Sequence, residues 1–305
     1  MLDTRLTTYL AVCRLGSYTR AARELYITQP AATQQVQSLE RQLGRKLLVY
    51  RNRSLQLTDA GRMVLAFAQQ AAAGQRRLEE ELGALDDRRR PMPFGATLTI
   101  GEFTLGPVAG RLIRRFPRLD FRIFVKNTET ILEMLDRGDL RFALVEGFFS
   151  RERYHSVVLK EEPYIGVCAP DRRFGPGPVR LEDLTEETLI LREPGSGSRE
   201  VIERALGERN LTAGCFGGII QAGNVNLMKE LVRQGLGIGF MYRDAARREL
   251  EEGSLGKIVF RQAPLRRPFC LVTPDPEFVD EEPDLVAFLR QELGDGQRRH
   301  LEPGS

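Results

Sequence analysis

Residues 17–43 read SYTRAARELYITQPAATQQVQSLERQL, and the reading of the whole chain turns on them. Ser17 is placed to cap a short helix, Tyr18 to Leu25, with Ala21, Ala22 and Leu25 facing inward. The small alanines let another helix come close. A brief turn, Tyr26-Ile27-Thr28, follows. Thr28 can cap the next helix, and Pro30 is tolerated in its first turn. There Ala32, Val36, Leu39 and Leu43 recur at i, i+4, i+7 and i+11, which predicts a buried stripe. The opposite face is polar but uncharged: Gln29, Thr33, Gln34 and Gln37. Two short helices joined by a tight turn make a DNA-reading shape. Glutamine can pair bidentately with adenine, and the positive end of the helix dipole suits phosphate.

Working outward, residues 3–15 place Leu6, Tyr9, Leu10 and Cys13 on one helical face, and Gly16 ends that helix. Downstream, Leu47 to Leu57 reads as a hairpin with Asn52, Arg53 and Ser54 at its tip. Arg51 and Arg53 are placed to grip backbone or minor groove as a wing. Residues 1–60 hold nine basic and four acidic residues, a net charge of +5, while the whole chain carries +3. A basic head on a nearly neutral body suits an anionic partner for the head alone.

Four blocks carry a resemblance: Gly16-Ser17-Tyr18-Thr19-Arg20-Ala21-Ala22, Thr28-Gln29-Pro30-Ala31-Ala32-Thr33, Leu39-Glu40-Arg41-Gln42-Leu43-Gly44 and Leu57-Thr58-Asp59-Ala60-Gly61. In order and spacing they resemble the N-terminal domain of LysR-type transcriptional regulators. Thr33 stands where that family usually has serine, which keeps the hydroxyl. Leu48 replaces the usual phenylalanine before the wing, still a core role. The resemblance implies a winged helix–turn–helix in which Thr28, Gln29, Pro30, Thr33, Gln34, Gln37, Arg51 and Arg53 meet DNA. It also implies pairs of dimers that bend their site.

From Thr58 to about Asp87 the chain has no proline, and Val64, Ala68, Ala71, Gln75, Leu78, Leu82 and Leu85 alternate in steps of four and three. That heptad seam predicts a dimer helix. Two reading heads imply double-stranded DNA with palindromic half-sites. The run Arg88-Arg89-Arg90-Pro91-Met92-Pro93 marks the boundary.

Beyond it the pattern alternates strand and helix. Strands are expected at Leu98–Gly101, Phe121–Val125, Phe142–Val145, Tyr164–Cys168, Thr188–Leu191, Gly217–Gln221, Gly237–Met241, Lys257–Arg261 and Phe269–Thr273, in mainly parallel sheets. Residues 130–138 and 226–235 echo one another, each a helix followed by a strand. Two such halves, crossed by the chain near 160–170 and 262–268, leave a cleft where ligands meet helix N-termini. The turn Glu193-Pro194-Gly195-Ser196-Gly197-Ser198-Arg199 is the better anion candidate, with glycine N–H groups and two hydroxyls. The body is similar to the effector domain of the same regulators and to periplasmic solute-binding proteins. It carries Asn127-Thr128-Glu129, Leu144-Val145-Glu146-Gly147, Arg192 through Glu200 and Gly235-Leu236-Gly237-Ile238-Gly239. That likeness nominates Thr104, Asn127, Thr128, Ser196, Gly197, Ser198 and Asn224 as effector residues. Glu102, in a shortened first loop, would set a carboxylate near the pocket mouth and oppose an anionic effector unless it points away or pairs with arginine; a small-molecule anion is the expected effector, with a neutral or cationic ligand as the alternative.

The expected fold class is therefore α plus α/β: a winged helix–turn–helix over 1–60, a linker and dimerisation helix over 61–92, and a two-lobed effector domain over 93–296. Its subdomains are expected at 93–163 with 268–296, and at 164–267. Only His155 and His300 are present, and no HExxH, G-x-S-x-G or CxxC pattern occurs, so neither an enzyme nor a metal or other cofactor is expected. No apolar run suggests a secretory signal or a membrane span, so a cytoplasmic protein is expected. Two alternatives are a redox sensor using Cys215 and Cys270, and a solute-binding protein without DNA function. Gln34→Ala is expected to lower discrimination between operator and random duplex more than it lowers random binding, as read by fluorescence anisotropy on both duplexes. Equal losses on the two would exclude base reading by Gln34.

Overall fold

The computed structural model describes residues 2–51, 54–83, 89–175, 177–261 and 265–294. They form two compact units. One is built on residues 1–91 and the other on residues 92–305, with Asp136–Asp139 grouped with the first.

The first unit opens with α1 (Thr4–Leu15), α2 (Tyr18–Glu24) and α3 (Gln29–Leu43). The expected caps at Ser17 and Thr28 and the expected stop at Gly16 are in place, and Asp3 caps α1 as well. Ser17 accepts from Arg20 N–H at 3.3 Å, and Thr28 accepts from Ala31 N–H at 3.3 Å. Gly16 and Gly44 end α1 and α3 in the left-handed region, at φ 61° and 63°. Tyr9, Val12, Ala21, Val36, Leu39 and Leu47 close the core. The stripe on α3 departs from expectation at its end: Leu43 is 44% exposed, and Glu40 is buried in its place. Glu40 can go inside because its carboxylate accepts from Leu47 N–H at 2.9 Å, Leu48 N–H at 3.3 Å and Lys46 Nζ at 2.7 Å. Those bonds tie the end of α3 to β1 (Leu48–Arg51), which pairs antiparallel with β2 (Ser54–Leu57).

The long helix α4 (Asp59–Gly83) follows; residues 84–87, where the sequence extends it and places Leu85, lie outside the described residues. Val64 packs on the head core and Ala68 is fully buried. The seam residues Leu78 and Leu82 are left exposed as expected, but Met63 and Phe67 are the exposed large apolar side chains nearer the head, in place of Val64 and Ala68. The open stripe therefore begins one residue before the expected seam.

The second unit centres on one nine-stranded sheet, made from β3 (Arg90–Thr97), β4 (Leu119–Lys126), β5 (Phe142–Glu146), β6 (His155–Cys168), β7 (Thr188–Arg192), β8 (Gly218–Ala222), β9 (Ile238–Tyr242), β10 (Gly256–Lys257) and β11 (Leu265–Thr273). Their order is β4-β3-β5-β11-β6-β9-β7-β8, with β10 beside β6. Helices α5 (Gly106–Arg115), α6 (Thr128–Asp136), α7 (Gly197–Gly207), α8 (Val225–Arg233), α9 (Arg243–Glu251), α10 (Phe278–Glu281) and α11 (Pro283–Gly294) complete the unit.

The sheet is mixed rather than mainly parallel. β3–β5, β7–β8 and β7–β9 run parallel, but β11 pairs antiparallel with β5 and β6, and β6 pairs antiparallel with β9. The cause is that β6 and β11 carry the chain across between the halves in opposite directions. Their register slips by one residue between Phe269 and Cys270, where Leu159 bulges out. The first strand also lies earlier than expected: residues 98–101 are helical, and a π-helical turn Ile100–Leu105 leads into α5. Met92, Phe94 and Ala96 alternate inward in the strand, and Phe94 stacks on Phe142 at 4.8 Å. Of the expected Lys257–Arg261, only Lys257 belongs to a strand, and Phe260 makes an isolated bridge to Val179.

Alternation sorts the core. Phe142, Leu144, Leu189 and Leu191 face the large cluster shared by both halves, while Ala143 and Val145 face a second cluster and Ile190 a third. Among the described residues no helix is long and apolar enough to cross a membrane. Gly61 in the first unit has no room for a side chain, since an added Cβ would stand 2.1 Å from the Leu47 carbonyl oxygen. Gly61→Ala is expected to destabilise that unit by roughly 1–3 kcal/mol, read as a lower urea midpoint.

Candidate functional site

Two sites lie on two separate units. On the first, α3 presents Gln29, Pro30, Gln34 and Gln37 as exposed residues, with Thr33 half-buried beside them. Gln29 Nε2 donates to Thr33 Oγ1 at 3.0 Å, so these two side chains form one polar surface. Thr28 is spent on its cap. Arg51 is exposed at the end of β1, opposite Ser54; Arg53 lies outside the described residues. The described part of this face is a row of amides and hydroxyls ahead of a basic wing, free of carboxylates apart from the buried Glu40 beneath it.

On the second unit, the expected effector residues divide into three groups. Thr128, Ser196, Gly197 and Ser198 come together where the two halves meet. Gly197 N–H donates to Thr128 Oγ1 at 3.0 Å, and Glu129 N–H donates to the Gly195 carbonyl at 3.2 Å. The approach is so close that a Cβ on Gly197 would stand 2.7 Å from both Thr128 Oγ1 and the Glu146 carbonyl oxygen. One on Gly147 would stand 3.0 Å from the Gly197 Cα. The start of α7 therefore meets lobe residues 128–129 and 146–147 directly. Ser196 occupies the N-cap position of α7 without capping it through its side chain. Ser198 lies under Tyr164, whose hydroxyl is 2.7 Å from the Ser198 carbonyl oxygen and 3.0 Å from that of Phe240.

Asn127 and Asn224 are helix caps. Their side-chain oxygens accept from Thr130 N–H at 3.0 Å and Leu227 N–H at 2.8 Å. Thr104 sits apart, donating to Asp244 Oδ2 at 3.4 Å. Glu102 is exposed and accepts from Asn226 Nδ2 at 3.1 Å, so its carboxylate links to α8.

Sequence reasoning missed a polar island inside the shared core. By register, Phe269 stands opposite both Glu146 and Lys160, Arg267 opposite Glu162, and Tyr164 opposite Tyr242. Lys160, Glu162, Tyr164 and Tyr242 are all buried, as is Glu146 at 3% exposed. Lys160 pairs with Asp244 and lies 3.2 Å from Glu162 Oε2, and its ammonium stands 4.8 Å from the Phe269 ring centre. Among the described residues, Glu146 Oε2, Glu162 Oε2, Tyr242 Oη and Arg267 Nε are buried atoms without a hydrogen-bond partner. Burial pushes the Glu146 carboxyl from 4.5 up to about 7, although the Thr99 hydroxyl and Arg192 pull the other way. Burial also raises Glu162, against the attraction of Lys160. Asp244 is held below its ordinary value, because Lys160 and Arg247 together outweigh its burial. The one available signal was the charged run Lys160-Glu161-Glu162 inside an apolar strand.

The structure does not bring the two cysteines of the redox alternative together. Cys215 is exposed on the turn before β8, whereas Cys270 is buried in β11, four strands away in the sheet, or roughly 19 Å at the usual strand spacing. A disulfide needs Cα atoms within about 7 Å.

Residues 4–62 match the model of the bacterial regulatory helix-turn-helix protein, lysR family, and residues 86–293 match the LysR substrate binding domain. The chain belongs to the LysR family. It is 30% identical to the RuBisCO operon transcriptional regulator of Allochromatium vinosum, over 98% of each chain. It is also 30% identical to the regulator CfxR of Cupriavidus necator, over 86% of this chain and 82% of that one. The crystal structure of ArgP from Mycobacterium tuberculosis has the same fold, with TM-score 0.66 and 20% identity over 96% of this chain and 98% of that one. This LysR-type protein is thus a DNA-binding transcriptional regulator with an effector-binding domain. The helix–turn–helix match removes the reading as a solute-binding protein without DNA function.

Because Glu146 holds its proton more tightly when folded, it contributes stability at low pH that is lost as pH rises from about 4.5 to about 7. Glu146→Gln, which mimics the protonated form, is expected to raise stability at pH 8 on the order of 2 kcal/mol and to leave it unchanged at pH 4. Urea unfolding at both pH values checks this.

Proposed function

We propose that the effector of this regulator binds between the two lobes, at the N-terminus of α7, through an anionic group. The observation that carries the reading is the Gly197 N–H···Oγ1 Thr128 bond: an internal hydroxyl oxygen occupies the donor that an oxyanion would take. An effector carboxylate or oxyanion displaces Thr128 and accepts from the first-turn N–H groups, while Ser196 and Ser198 add hydroxyls. Thr104, Asn127 and Asn224 act from the rim, where the two asparagines fix the helix starts beside the cleft.

In this reading residues 1–60 bind double-stranded DNA. Gln29, Thr33, Gln34 and Gln37 read base edges, Pro30 sets the helix start, and Thr28, Arg51 and Arg53 hold phosphate or minor groove. Residues 61–87 of the linker helix and hinge at 61–92 pair two chains, with Met63, Phe67, Leu78 and Leu82 in the apolar seam. The effector domain spans 93–296, with one subdomain of 93–163 and 268–296 and another of 164–267. The homodimer meets a palindromic promoter site, two dimers form a tetramer, and the protein works in the cytoplasm without catalysing a reaction. Opening and closing of the lobes shifts which arrangement of heads is favoured.

The test is thermal unfolding of the full chain against carboxylates, sulfur and phosphorus oxyanions, amino acids and aromatic acids. A ligand at 100 times its Kd stabilises the native state by about 2.7 kcal/mol, a shift of a few degrees. An anionic hit whose shift is lost in Ser196→Ala is expected; hits confined to neutral or cationic compounds would overturn the anionic assignment.

A further inference from the structure

Tyr26 is costly to the fold in two independent ways. Its backbone has φ +55°, in the left-handed region that a bulky aromatic residue rarely adopts. Among the described residues only Asn210 shares that feature without being glycine, and asparagine tolerates it far better. Tyr26 is also 96% exposed, so its ring is left in water and packs on nothing. The turn around it is held without the side chain: Tyr26 N–H donates to the Arg23 carbonyl, and Ile27 N–H to that of Ala22, at 3.3 and 3.0 Å. A glycine would serve this turn better. Strain and exposure that stabilise nothing point outward, to a partner.

The place of Tyr26 names the partner. It stands two residues before Thr28, the cap of α3, with exposed Arg23 three residues earlier. In a helix–turn–helix the N-terminal residues of the second helix reach base edges, so the sugar–phosphate backbone runs past the residues just before it. A phenol hydroxyl is one of the side-chain donors that phosphates accept. We propose that Tyr26 is a phosphate contact, its hydroxyl donating to a backbone phosphate oxygen at the rim of the groove that α3 enters. Such a contact fixes how the head sits on the duplex and carries no sequence information. The proposal rests on the head's binding of duplex DNA and adds to it a residue that the reading face does not include.

Binding of the full chain to a fluorescein-labelled 30-base-pair duplex of random sequence, by anisotropy at several salt concentrations, tests it. Tyr26→Phe is expected to weaken binding about five- to tenfold at every salt concentration. The salt slope stays unchanged, because a neutral hydroxyl releases no counterion. Arg51→Ala, measured alongside, is expected to lower the slope by about one. Tyr26→Gly is expected to bind at least as weakly as Tyr26→Phe yet melt no lower than wild type, which separates lost contact from lost fold. Wild-type affinity in both tyrosine variants would overturn the proposal, and so would a loss that came with a reduced salt slope. A wild-type chain that failed to bind the duplex would instead overturn the DNA-binding role of the head itself.

Discussion

The antiparallel pairing of β6 with β11 is the constraint on which the second unit depends. The pair runs from Leu265 opposite Tyr164 to Thr273 opposite His155, long enough to belong to both lobes. One parallel group, β3 with β5, attaches beyond β11, and another, β7 with β8 and β9, attaches through the β9–β6 pairing. Two lobes therefore share one sheet and one large core, instead of meeting as separate bodies. The two-strand connection keeps both ends of the sheet in register.

That arrangement concentrates electrostatics at the crossing. Charged residues on the inward face of a shared strand cannot reach water from either lobe, so they must find one another. Lys160 satisfies Asp244 and stands beside Glu162; burial raises the Glu146 carboxyl to about 7 against the pull of the Thr99 hydroxyl and Arg192. The same crossing brings α7 against residues 128–129 and 146–147, where glycines at 147, 195 and 197 permit backbone contact.

How much of this was legible varied with sequence distance. The head was readable nearly residue by residue, because caps at Ser17 and Thr28 and the stop at Gly16 are local rules. It failed at Leu43, where periodicity favours an apolar residue but Glu40 goes inside, satisfied by N–H groups of the following strand. In the body the alternation of strands and helices was visible, yet Leu98–Gly101, with β-branched Thr99 and Ile100, read as strand, whereas the strand ends at Thr97 and carries the aromatic stack of Phe94 on Phe142. Asn127 and Asn224 were nominated from a family likeness, although each sits three residues before the N–H it caps, a spacing that local reasoning could have read. The polar island was illegible because its members, on β5, β6, β9 and β11, become neighbours only through pairing across distant residues.

The bulge at Leu159 has a consequence for how this domain tolerates change. Strand faces alternate with period two, so a slip of one residue along an uninterrupted ribbon would turn every following side chain to the wrong side. Here the ribbon is already broken into two ladders, Leu265–Phe269 and Cys270–Thr273, each with its own phase. A gain or loss of one residue near the break can be absorbed there, leaving Tyr164, Glu162 and Lys160 facing as they do.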